Sequence, residues 1–139
     1  MTRFVVDASV VVKWFLPEEH AAAARGLLAD GNTLTAPDLV YAEVANVYWK
    51  HWRRGLVSTD EVSALLTDLC ALPVRPVSSR SLIVPATELA CLHERTVYDA
   101  LYLALAEQLD CIMVTADQRL VNALARTALG SRVQWVGVL

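Results

Sequence analysis

The chain has little of what builds disulfide or metal–thiolate frameworks. Its 139 residues include three cysteines, and Cys70, Cys91 and Cys111 are odd in number and far apart. That excludes a disulfide scaffold and fits free thiols in a reducing cytoplasm. The histidines, His20, His51 and His93, form no pair at ligand spacing, and "CLHE" around Cys91 lacks partners for a zinc site. Positive charge is also short, because 12 Lys and Arg against 15 Asp and Glu leave a net −3. A generally basic nucleic-acid coat is therefore excluded, and any contact with a polyanion has to be local. No uncharged apolar run is long enough to span a bilayer, so no membrane segment is expected. Arg3 ahead of apolar residues mimics a secretion signal, yet Asp7 and Lys13 interrupt the run and no small-residue cleavage site follows. Internal repeats, low-complexity tracts and linkers are missing too, so residues 1–139 read as one cytoplasmic domain.

What remains is apolar. Hydrophobic residues make up 55% and charged residues 19%, with a mean hydropathy of +0.39. A composition this greasy predicts an apolar surface patch covered by another copy or a different protein. Strands are expected at Arg3–Val6, "NTLTA", "PVRPV", "CIMVT" and "RVQWV". Helices are expected at Ser9–Leu16, from Pro17 to the stop at Gly31, from Pro37 to Gly55, over "STDEVSALLTDLCAL", from Ser79 to Glu94 with a disturbance at Pro85, over "TVYDALYLALAEQL", and over "DQRLVNALARTAL". Strands alternating with helices imply a central, mostly parallel five-stranded sheet with helices on both faces, an α/β Rossmann-like architecture. Pro76 sends its strand to one edge and "RVQWV" suits the other. The two most apolar strands, ending at Asp7 and Thr115, belong side by side in the middle, where the chain runs outward both ways and leaves a crevice for ligands.

Most acids lie among polar neighbours, but four do not: Asp7, Glu43 in "VYAEVANV", Asp99 in "VYDALYLAL" and Asp117 in "MVTADQRL". Asp7 and Asp117 each have a helix to cap, and Asp99 stands three residues after the N-cap Thr96. Glu43 lies past the first turn, where neither capping nor the dipole accounts for it; its i−4, i+3 and i+7 neighbours are Leu39, Asn46 and Lys50. Taken together, the four acids are expected to meet at the edge where the two central strands end. Two carboxylates ~4 Å apart repel by about 4 kcal/mol at an effective dielectric of 20. A divalent cation among them removes that cost, and an all-oxygen donor set selects a hard ion, Mg²⁺ or Mn²⁺.

"VVDASV", "AEVANV", "TVYDALYLALA" and "VTAD" resemble, in order and spacing, the motif blocks of the PIN domain family, in particular its VapC-type toxins. The likeness covers nearly the whole chain. It implies a single PIN domain and a metal-dependent endoribonuclease in which Asp7, Glu43, Asp99 and Asp117 bind Mg²⁺, with Mn²⁺ as a substitute. Ser9 and Thr115 would supply hydroxyls that orient carboxylates or water. Some relatives carry a further acid after the "TAD" block; Arg119 stands there instead, which puts a second metal in doubt. The resemblance also implies an RNA substrate, a VapB-type antitoxin partner and a homodimer, and the short helices after the first two strands are where such contacts are expected.

Other readings of the same residues differ in class. A haloacid-dehalogenase-type phosphatase wants a second Asp where Ser9 stands, and a phospho-receiver wants paired acids near the first strand and a late Lys. A non-catalytic PIN-fold interaction module, or an RNA-processing nuclease outside a toxin–antitoxin pair, stays open. "KHWRRG" at 50–55 reads either as a helix C-terminus answering its dipole or as an RNA contact with a stacking platform. Lys13, Arg95 and Arg119 are candidates for phosphate contacts, and Trp14, Trp49, Trp52 and Trp135 read as core or interface packing.

Overall fold

The computed structural model describes residues 2–139. Five strands, β1 (Thr2–Val6), β2 (Asn32–Pro37), β3 (Val74–Val77), β4 (Ile112–Thr115) and β5 (Val133–Trp135), form one sheet in the order β3-β2-β1-β4-β5. Every neighbouring pair is parallel, with Val5 opposite Met113 and Val6 opposite Val114 at the centre. Those four side chains are fully buried, as an unbroken apolar run demands of a strand covered on both sides. Seven helices connect the strands: α1 (Ala8–Val12), α2 (Ala21–Gly26), α3 (Leu39–Arg53), α4 (Thr59–Cys70), α5 (Ser79–His93), α6 (Val97–Gln108) and α7 (Gln118–Leu124). Right-handed crossovers place α1–α4 on one face and α5–α7 on the other, and α3 packs on α1 and α4 as α6 packs on α5.

Helix α6 is the spine of its face. It lies against β1, β2 and β4, and every residue from Ala100 to Ala106 is buried. Thr96 caps it by accepting from the Asp99 amide at 3.1 Å. Ser58 and Glu61 form a reciprocal capping box that starts α4. Both edge strands are where the sequence places them.

The expected boundaries shift where prolines punctuate the chain. The first helix starts at Ala8 and stops at Val12, not Leu16, because the Lys13, Trp14 and Phe15 amides donate three residues back, to Val10, Val11 and Val12, and tighten the chain into turns. Pro17 opens no helix: His20 adopts φ +61°, and α2 begins only after it. Such a left-handed residue cannot continue a right-handed helix. Pro37 is the buried last residue of β2, not part of the first turn of α3; its fixed φ serves either place. Pro85 leaves α5 unbroken, since it and Ser81, whose carbonyl loses a partner, both face water. The last helix ends at Leu124 rather than Leu129. There the Thr127 hydroxyl donates to the Leu124 carbonyl at 2.8 Å.

Leu105 is fully buried at the centre of α6. Leu105→Ala is expected to cost about 2–5 kcal/mol, read as a lower urea midpoint at unchanged slope.

Candidate active site

Asp7 follows β1 directly and forms the N-cap of α1. Its Oδ1 accepts from the Ser9 hydroxyl at 2.5 Å and from the Val10 amide at 3.3 Å. Its Oδ2 accepts from the Thr115 hydroxyl, at the end of β4, at 2.6 Å. The same hydroxyls accept in turn, Ser9 from the Ala116 amide and Thr115 from the Asp117 amide, each at 3.0 Å. Capping and site membership are thus one geometry rather than alternatives. Burial pushes the Asp7 carboxyl up to about 6, against the downward pull of the hydrogen bonds from Ser9, Thr115 and Val10; the nearby Glu43 charge adds to the rise.

The other acids reach the same edge from separate elements. Glu43 is the fifth residue of α3, and its Oε1 accepts from the Tyr102 hydroxyl of α6 at 2.6 Å. Asp99 lies in the first turn of α6. Its carboxyl is raised by burial first and by the Asp117 charge second, with Arg95 and Thr96 pulling the other way. Asp117 caps α7 by accepting from the Leu120 amide at 3.2 Å. The Glu43 charge thus acts on Asp7 and the Asp117 charge on Asp99. Among the described residues no three His, Cys, Asp or Glu side chains stand close enough to enclose an ion. The donor set nevertheless fits a hard cation: it is all oxygen, and neutral hydroxyls hold Asp7 and Glu43 in place without cancelling their charge.

Tyr102 was not among the residues singled out from the sequence. The signal was there: a tyrosine within an otherwise aliphatic buried run needs a partner for its hydroxyl. Burial, the Glu43 hydrogen bond and the Glu43 and Asp7 charges all push its own ionisation far upward, so it stays a donor. Lys13 is no phosphate contact, being 8% exposed and paired with Glu18 at 3.2 Å. Arg119 is exposed beside Asp117, and Arg95 acts on Asp99 electrostatically. Trp14 is core, donating to the Ala24 carbonyl at 2.7 Å, and Trp135 is partly buried; Trp49 and Trp52 are half exposed instead.

A parallel sheet in this order with an acidic crevice where its direction reverses defines an α/β protein whose site lies at the carboxyl ends of β1 and β4. A family model described as the PIN domain matches residues 4–126. Ribonuclease VapC3 of Pyrobaculum aerophilum is 40% identical over 124 residues, covering 86% of this chain and 93% of its own length. Ribonuclease VapC1 of Mycobacterium tuberculosis (strain H37Rv) is 38% identical over 130 residues, covering 88% and 92%. Among solved structures, a Pyrobaculum aerophilum protein superposes with a TM-score of 0.68 at 24% identity, over 99% of this chain and 85% of that one. A toxin–antitoxin complex from Klebsiella pneumoniae gives 0.61 at 14% identity, over 94% of each chain. The chain belongs to the PIN domain family.

Because Asp7 holds its proton more tightly folded than unfolded, the metal-free fold loses stability as pH rises from about 4 through about 6. The loss from this group amounts to as much as about 3 kcal/mol. In EDTA, Asp7→Asn is expected to melt higher than the wild type at pH 8, with the gap closing towards pH 4.

Proposed function

We propose that the chain is a VapC-type toxin, an endoribonuclease that hydrolyses RNA phosphodiesters and is held in check by a VapB-type antitoxin. The observation that carries this reading is the placement of Asp7, Glu43, Asp99 and Asp117 around the switch point, with two of the carboxyls raised by their surroundings. The names of the curated relatives support the same activity. Asp7 and Glu43 from one side and Asp99 and Asp117 from the other would supply the ligands of Mg²⁺, or of Mn²⁺ in its place, and ion binding would draw the two sides together. When bound, the ion supplies a site for activating water and offsets charge at the scissile phosphate. Ser9 and Thr115 fix both oxygens of Asp7, and Tyr102 fixes one oxygen of Glu43, so neither carboxylate has to reorient as substrate arrives. Exposed Arg119 and partly exposed Arg95 stand beside Asp117 and Asp99 and can steer the anionic backbone towards them.

A homodimer in the cytoplasm belongs to the same proposal. Helix α1, after the first strand, is largely buried and offers little surface for the contact expected there; α5 instead exposes Ile83, Val84 and Leu92, apolar surface that a second copy would cover. Among the described residues no helix is long and apolar enough to cross a membrane.

Purified wild type is expected to cut RNA in Mg²⁺ and to stop in EDTA. Asp99→Asn is expected to lose about a hundredfold or more of the rate. Cutting without metal, or an unimpaired variant, overturns the assignment. Tyr102→Phe is expected to fold and to cut about 10–100-fold more slowly, as loss of a residue that orients a ligand does. Expression in cells separates a toxin from an RNA-processing enzyme: a toxin arrests growth, and Asp99→Asn relieves the arrest.

A further inference from the structure

The C-terminal end of α3 carries a surface that the carboxylate crevice does not explain. Between Glu43 and Asp60 the chain has no acidic residue, yet Lys50, Arg53 and Arg54 all lie there, exposed. The ion pairs among the described residues, Lys13 with Glu18 and Arg132 with Asp110, involve none of them. The helix dipole accounts for cations at this end. It does not account for two tryptophans, Trp49 and Trp52, that are 46% and 47% exposed.

Trp49 is a wall shared by two hollows. One, of about 330 Å³, is apolar and is completed by Trp52 and Val62 with Thr59. The other, of about 370 Å³, is completed by Lys50, Arg53 and Arg54. The guanidinium carbon of Arg53 lies 5.5 Å from the centre of the Trp49 ring, a cation–π contact that braces the indole. An apolar hollow and a cationic one on either side of an aromatic ring match the two halves of a nucleotide, a flat base and an anionic phosphate. A protein segment in the apolar hollow would need several acidic side chains in register to meet the three cations, whereas an RNA backbone brings an anion with every nucleotide. Lys50 and Arg54 follow Glu43 by seven and eleven residues and share its side of the helix, Lys50 about 10 Å along the axis, whereas Trp49 and Trp52 stand about a third and a half of a turn round it.

We propose that this end of α3 is an RNA subsite for a stretch of single strand running on from the nucleotide in the carboxylate crevice and wrapping round the helix end. The base stacks on Trp49 beside Trp52, and the backbone phosphates sit on Lys50, Arg53 and Arg54. The proposal deepens the ribonuclease reading and rests on it for the identity of the strand.

The test is the binding of a short fluorescein-labelled single-stranded RNA to the full chain in EDTA, followed by anisotropy across a salt series. The triple variant Lys50→Ala, Arg53→Ala, Arg54→Ala is expected to bind about tenfold or more weakly and to lose about 2 from the slope of log affinity against log salt, for three phosphates at ~0.7 each. Trp49→Ala is expected to bind about fivefold or more weakly, the loss of one stacked base, while Trp49→Phe keeps most of the affinity. Unchanged melting temperatures show that the variants are folded. Wild-type affinity and slope in the folded triple variant overturn the subsite. So does a wild-type dimer that Trp49→Ala dissociates in sedimentation, which makes the face an interface between copies. Cleavage of the same RNA in Mg²⁺ is scored separately. Wild type that binds through these residues without cutting keeps the subsite and removes the ribonuclease reading. Wild type that cuts, with variants that bind equally well, does the reverse.

Discussion

The structure turns on one carboxylate placed where a sheet would prefer an apolar residue. Asp7 ends a strand whose last two residues are fully buried, and an ionised group there costs several kcal/mol unless donors meet it. The donors come from two elements that the carboxylate thereby joins: Ser9 and the Val10 amide from α1, and Thr115 from β4. The Ala116 and Asp117 amides complete the network through the same hydroxyls. It fastens together the ends of β1 and β4, the two strands between which the sheet changes direction. The crevice exists because those ends are held side by side.

The same choice of donor recurs at Glu43, which takes a phenol rather than a cation. Hydroxyls fix a carboxylate's direction without neutralising it, whereas a lysine or arginine would do both. The chain does use ion pairs, but for other acids: Lys13 with Glu18 and Arg132 with Asp110. Negative charge is thus kept at the crevice, while cations lie along its flanks at Arg95 and Arg119 and at the far end of α3. A polyanion with a divalent counter-ion is the kind of ligand that distribution suits.

The strand order was legible in the sequence because it follows from burial: the two most apolar strands take the centre, and a proline or an alternating pattern marks each edge. The helix limits next to prolines were not. Pro17 and Pro37 satisfy the geometry of a strand end or a turn as well as that of a first helical turn, and only tertiary packing chooses. Asp7, Glu43, Asp99 and Asp117 were legible as misplaced charges; in the structure Glu43 acts on Asp7 and Asp117 on Asp99, but among the described residues no three acids draw together as the expected cluster would. Ser9 and Thr115 were legible through resemblance. Tyr102 was hidden because its partner is 59 residues away, and sequence spacing carries no record of such a contact. Lys13 misled for the opposite reason: five residues separate it from Glu18, and that local pair buries it.

The bond between Thr115 and Asp7 spans 108 residues of chain. A site completed by so long-range a contact forms only once β4 has docked beside β1. Until then β1 has no partner on that side, and the crevice has only one wall. The order of the strands thus ties completion of the pocket to the docking of β4 on β1, the step that joins the two most distant parts of the site.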